Sequence, residues 1–198
     1  MSTSRTRLIV TALSALLALV GVVVLAGCGG DGDGDTASVP GTDRAFTFDM
    51  IPHHKSAVVM ATTAKARSRR PEIQKLADEI IRAQDSEIAQ MQAIDKRLAA
   101  AGEKKGKLGA GAMMGMGNEA SLETAEPFDR AFIDMMIPHH QSAVEMSRIE
   151  IAKGTDDETK KLATAIITAQ EIEIKQMNAY RKAWFGSVSP SGGVPAEK

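Results

Sequence analysis

The sequence predicts an all-α fold: an antiparallel four-helix bundle built from two duplicated helical hairpins. Three observations predict it. The composition is helix-prone, with aromatics at 4% of the 198 residues, 11 methionines, and β-branched runs scarce outside the N-terminus. The chain also repeats itself at an offset of 86 residues, with Asp43–Met60 matching Asp129–Met146 at 13 of 18 positions and Leu76–Met91 matching Leu162–Met177 at 10 of 16. Finally, apolar residues in each repeat recur by alternating threes and fours, the period of a helix that buries one face. Two hairpins that each bury one face close against each other as a bundle.

Residues 1–27 have the layout of an export signal. Arg5 and Arg7 precede an apolar run from Leu8 to Ala26 that only Thr11, Ser14 and Gly21 interrupt. The run ends in Leu25-Ala26-Gly27-Cys28, which resembles the lipobox of bacterial lipoproteins. That resemblance implies cleavage before Cys28 and a diacylglyceryl group on its sulfur. The alternative is an uncleaved anchor, since the run is nearly long enough to span a bilayer. Either reading places the remainder on the extracytoplasmic side of the cell membrane, and two acyl chains would hold it there stably. Cys28 is the single cysteine, which excludes an intramolecular disulfide framework and any CxxC site. Counted from Cys28 the chain has 22 basic and 25 acidic residues, with no basic face for nucleic acid.

Residues 28–42 combine the candidate lipidation site with a Gly/Asp-rich stretch, expected to be a flexible spacer. The bundle is expected over 43–186, as helices 43–69 and 71–100 in repeat one (43–101), and 126–153 and 156–184 in repeat two (126–185). Pro71 suits the first position of a helix, Gly102 and Gly154 suit helix ends, and Thr155 or Asp156 suits a cap. Pro52 and Pro138 fall inside helical patterns, where each removes a backbone hydrogen bond; a kink or restart is expected there. A Met/Gly-rich connection, 102–120, carries Met113, Met114 and Met116 without a periodic face to fill. The Ser/Pro/Gly tail, 187–198, is expected to be disordered.

The histidines carry the functional signal. All four lie in two copies of one motif, Met50-Ile51-Pro52-His53-His54 and Met136-Ile137-Pro138-His139-His140. His139 falls on a seam with Phe128, Phe132, Met135, Ser142, Met146 and Ile149. His53 falls on the equivalent seam with Phe46, Asp49, Ser56 and Met60. One histidine of each pair is thus expected to point into the bundle and the other towards its flank or a neighbouring helix. On the partner helices Gln84, Glu87, Gln90 and Met91 return as Gln170, Glu173, Gln176 and Met177. Glu87 shares a helix face with Met91, and Glu173 with Met177.

The candidate metal ligands are therefore His53, His54, His139, His140, Met50, Met136, Glu87, Met91, Glu173 and Met177. Glu87 and Glu173 have the alternative of orienting a histidine by hydrogen bond. Met60 and Met146 rank behind as core residues, Met60 standing about 10 Å of helical rise from His53; Met113, Met114 and Met116 rank with them. Thioether and imidazole without thiolate favour Cu(I) or Ag(I) over zinc, magnesium or calcium. No Glu stands three residues before a His, which counts against a di-iron centre.

The paired DRAF…MIPHH-x-SAV-x-M segments, each with A-Q-x-x-E-I-x-Q-M on its partner helix, resemble the domain-of-unknown-function-305 family across roughly 43–185. The resemblance implies a ferritin-like bundle in exported bacterial proteins, often lipoproteins, some of them implicated in copper binding or resistance. The reading is a membrane-anchored Cu(I) protein for storage, delivery or resistance, not an enzyme, because no catalytic triad, reactive cysteine or phosphate loop is present. The alternatives are a ferritin-like metal-dependent oxidase and a purely structural bundle. A homo-oligomer or a copper-exchange partner remains open. Imidazole ligation would make affinity fall between about pH 7 and 5.

Overall fold

The computed structural model describes residues 38–108 and 118–196. The signal segment, Cys28, most of the spacer, and Met113, Met114 and Met116 lie outside the described residues. Among the described residues there are four α-helices: α1 (Thr42–Arg67), α2 (Pro71–Ala100), α3 (Phe128–Lys153) and α4 (Asp157–Phe185), with a 3₁₀ turn at Glu119–Glu123. The helix α1 packs on α2 and α3 on α4, and the two hairpins join chiefly through α1 and α3. This is the expected four-helix bundle. None of the described helices is long and apolar enough to cross a membrane.

Local chemistry sets the ends. Pro71 opens α2, and the Asp156 side chain caps α4 by accepting from Thr159 N–H. Gly186, at φ 84, supplies the left-handed turn that stops α4. Each hairpin turn is then pinned by the opposite repeat. Asp43 accepts from the backbone N–H of Thr155 at 3.0 Å and of Asp156 at 2.8 Å. Asp129 accepts from Ser68 Oγ at 2.6 Å and pairs with Arg70.

Two expectations need correction. Pro52 and Pro138 do not restart their helices, since α1 and α3 run through them without a break. A proline removes one ladder bond and leaves the rest of the turn intact, so the helix continues through it. The C-terminal segment is not a disordered tail either. Its residues 187–196 lie along α3 and α4, held by side chains that capture its backbone. Asn178 accepts from Ser189 N–H at 2.8 Å and donates to Gly192 O at 2.7 Å. Gln141 donates to the carbonyls of Ser191 and Gly193, and Arg148 to those of Pro195 and Ala196. Composition alone does not show such amide and guanidinium donors.

Candidate metal centre

The bundle core is divided in two by a polar layer. One apolar cluster holds Met50, Ile88, Met91, Met146 and Ile166; the other holds Met60, Ile80, Met136, Ile174 and Met177. On every helix the crossing from one cluster to the other passes a polar residue. These are His53 and His54 on α1, Gln84 on α2, His139 and His140 on α3, and Gln170 on α4. All four histidines are fully buried, and both glutamines nearly so.

His53 and His139 meet across the α1–α3 interface with ring centroids 3.7 Å apart. His54 and His140 turn outward to the partner helix of their own repeat. His54 Nε2 lies 2.8 Å from Glu87 Oε2, and His140 Nε2 lies 2.6 Å from Glu173 Oε2. The inward and outward division expected from helical spacing is therefore present.

These contacts fix which nitrogen keeps a lone pair. A carboxylate oxygen only accepts, so Nε2 of His54 and of His140 carries the hydrogen. Ser142 Oγ donates to the His139 carbonyl at 2.9 Å and lies 2.6 Å from His53 Nε2, so that nitrogen donates to the hydroxyl. In all three rings the remaining nitrogen, Nδ1, is an acceptor, and it is buried without a hydrogen-bond partner. Both ring nitrogens of His139 are likewise unpartnered. Burial, reinforced by the neighbouring imidazoles, lowers the His53 pKa to about 3 and holds His139 well below the ordinary histidine value. The central pair is therefore neutral at physiological pH.

Six fully or almost fully buried methionines fall into two trios, Met50, Met91 and Met146 in one apolar cluster and Met60, Met136 and Met177 in the other, with the partly buried Met135 packed against the second. The offset of 86 residues maps each member of one trio onto a member of the other. Met60 and Met146, ranked behind as core residues, thus do share a cluster with candidate ligands, but with those of the opposite repeat. Among the described residues, no group of three His, Cys, Asp or Glu could hold one ion. Glu87 and Glu173 touch histidine Nε2 and so serve as orienting partners, the second of the roles weighed for them. Orphaned Nδ1 atoms between two thioether trios match a soft monovalent ion, and the set lacks the convergent carboxylates that a hard ion requires.

The model of the family described as Domain of unknown function (DUF305) matches residues 41–181. The chain belongs to that family. CopM in its Cu(I)-bound form is 37% identical to it, over 73% of this chain and 98% of that one, with TM-score 0.62. CopM structures also include Cu(II)-bound and Ag-bound forms. A DUF305 fragment from Deinococcus radiodurans is 29% identical over 73% of this chain and 97% of its own, at TM-score 0.59. An uncharacterized protein of Acanthamoeba polyphaga mimivirus is 41% identical over 51 residues, 26% of this chain; the match spans about a third (34%) of that protein.

Within this DUF305 chain, sequence reasoning left Gln84, Gln170 and Ser142 out of the site. Both amide atoms of each glutamine are buried and unpartnered, in the same layer as the imidazoles. The signal was available: both glutamines interrupt an apolar run at the same place in each repeat.

Proposed function

We propose that this chain is a lipid-anchored extracytoplasmic protein that captures Cu(I) or Ag(I), for copper storage, delivery or resistance. One observation carries the reading: four buried imidazoles with unpartnered nitrogens lie between two methionine trios. The Cu(I)-bound and Ag-bound forms of CopM, matched over almost all of its length, support it. The anchor rests on the Leu25-Ala26-Gly27-Cys28 sequence behind its apolar run. A bound soft ion would supply a center that accepts imidazole and thioether lone pairs without requiring charge from the protein.

The chain's residues do the rest. Glu87 and Glu173 hold Nε2–H and keep Nδ1 of His54 and His140 as the donor atom. Ser142 does the same for His53. The apolar clusters above and below the layer keep water from competing, and burial keeps His53 and His139 neutral, so no proton need leave them. The test is a competitive Cu(I) titration of the chain from Gly29 onward, beside a variant with all four histidines changed to alanine. Loss of at least about a hundredfold in affinity is expected. Equal affinity in both proteins would refute the reading.

A further inference from the structure

We propose that the soft cation reaches the histidine layer from one side only, through a groove between α3 and the C-terminal segment. Glu145 stands at its mouth and Ser142 at its inner end. This rests on the Cu(I)/Ag(I) reading above.

The groove is a cavity of about 550 Å³ lined by Gln141, Ser142, Glu145 and the segment around Ser191 and Gly193. Its inner wall is part of the site, since Ser142 is 2% exposed and its Oγ lies 2.6 Å from His53 Nε2. The same residue therefore lines the groove and touches a candidate ligand.

The duplication supplies a built-in control. On the opposite side, Ser56 occupies the place of Ser142, but its hydroxyl is hydrogen-bonded to Glu119 of the 3₁₀ turn, which covers it. Lys55 stands there in place of Gln141, and Val59 in place of Glu145. The first face thus presents Lys55, Val59 and the Glu119 carboxylate that holds Ser56, whereas the groove is lined by Gln141 and Glu145 with no basic side chain among its lining residues. A positive ion is favoured at the groove, where no lysine offsets the carboxylate, and low-dielectric walls strengthen that bias. Arg148, one turn beyond Glu145, is engaged by Glu171 at 3.2 Å and by the carbonyls of Pro195 and Ala196. It anchors the segment that walls the groove.

Rates and affinities separate this from the metal site itself. Ag(I) loading of the full chain in detergent is followed by stopped flow, with equilibrium affinity measured by competition. E145K, at a half-buried position that is not itself one of the candidate ligands, is expected to slow loading roughly threefold or more at low salt, and E145Q less. Affinity should stay within about twofold of wild type, and salt should erase most of the rate difference. The mirror variant V59K should load at the wild-type rate. Unchanged rates in E145K, or equal slowing by V59K, would overturn the one-sided route while leaving the binding site intact. Absence of Ag(I) affinity in the wild-type chain would instead overturn both it and the binding reading.

Discussion

The two repeats have matching His–Glu pairs and different edges. His54 with Glu87 and His140 with Glu173 are near copies, at 2.8 and 2.6 Å, with both rings fully buried. At the edges the copies diverge. Ser142 reaches His53, whereas Ser56 reaches Glu119. At the hairpin turns, Ala64 and Ser68 of repeat one correspond to Glu150 and Gly154 of repeat two. A shared ligand layer tolerates little drift, because a change in either copy alters the environment of both central imidazoles. Positions that touch only their own end are free to differ, and there the differences come in compensating pairs.

Glu150 and Gly154 are such a pair, and breaking it should give the largest effect. Glu150 is fully buried, and a Cβ at residue 154 would fall inside its carboxyl group. Gly154 is thus required by a close approach, not by its φ of −68, which any residue adopts. G154S alone should cost about 3 kcal/mol in urea denaturation, since the buried carboxyl has nowhere to move. The double variant E150A/G154S, which writes the first repeat's residues into the second, should recover to within about 1 kcal/mol of wild type. A double variant as unstable as G154S would show that the two positions are not coupled.

The same carboxyl should give the next largest effect, as a pH dependence confined to one end of the bundle. Burial first, reinforced by the neighbouring Asp43 charge, raises the Glu150 pKa to about 9. Asp43 moves the other way: burial pushes it up, but donors at Asp156 and Thr155 outweigh that and lower it. The folded chain therefore keeps a proton on Glu150 that the unfolded chain releases near the ordinary value of 4.5. Stability must fall as pH rises from 4.5 towards 9. E150Q keeps the shape of the protonated acid and removes the titration. It should match wild type near pH 4 and exceed it by about 2 kcal/mol at pH 8. Parallel stability curves would place the proton elsewhere.

Much of this architecture was legible in the sequence. Helical period and duplication show the four helices to within a residue or two, because both survive any tertiary arrangement. Spacing on a helix face put Glu87 beside Met91 and Glu173 beside Met177; that the two carboxylates meet the histidines is set by the packing of each hairpin. Other features depend on packing across the duplication. Along one helix Met60 is remote from its own His53, and only the antiparallel docking of repeat two brings it to Met136 and Met177. The docked C-terminal segment likewise rests on tertiary contacts that outweigh local preference.

The centre offers a sharper test of equivalence between the repeats. E87Q and E173Q each replace a carboxylate acceptor by an amide that no longer dictates which histidine nitrogen keeps its hydrogen. Each should weaken Cu(I) affinity about tenfold, at the low end for loss of a ligand-orienting partner. The two losses should agree to within about twofold, because the geometries do. A tenfold loss in one variant with none in the other would mean that one His–Glu pair carries coordination and its copy only packs.

The smallest expected effect is an absence of change where the sequence alone suggested one. Histidine ligands ordinarily bring a fall in metal affinity between pH 7 and 5, as protons compete for the lone pair. In His53 and His139 burial has already displaced that competition, to about pH 3 for His53 and well below the ordinary range for His139. Their depressed values carry the opposite cost, since the unfolded chain takes up protons below 6.5 that the folded chain refuses. Stability is therefore lost as pH falls from 6.5 towards 3. Affinity measured on the folded chain between pH 7 and 5.5 should consequently vary by less than about threefold if the central pair supplies the donors. A tenfold decline over that interval, with folding intact by circular dichroism, would move the coordinating nitrogens away from the His53–His139 pair.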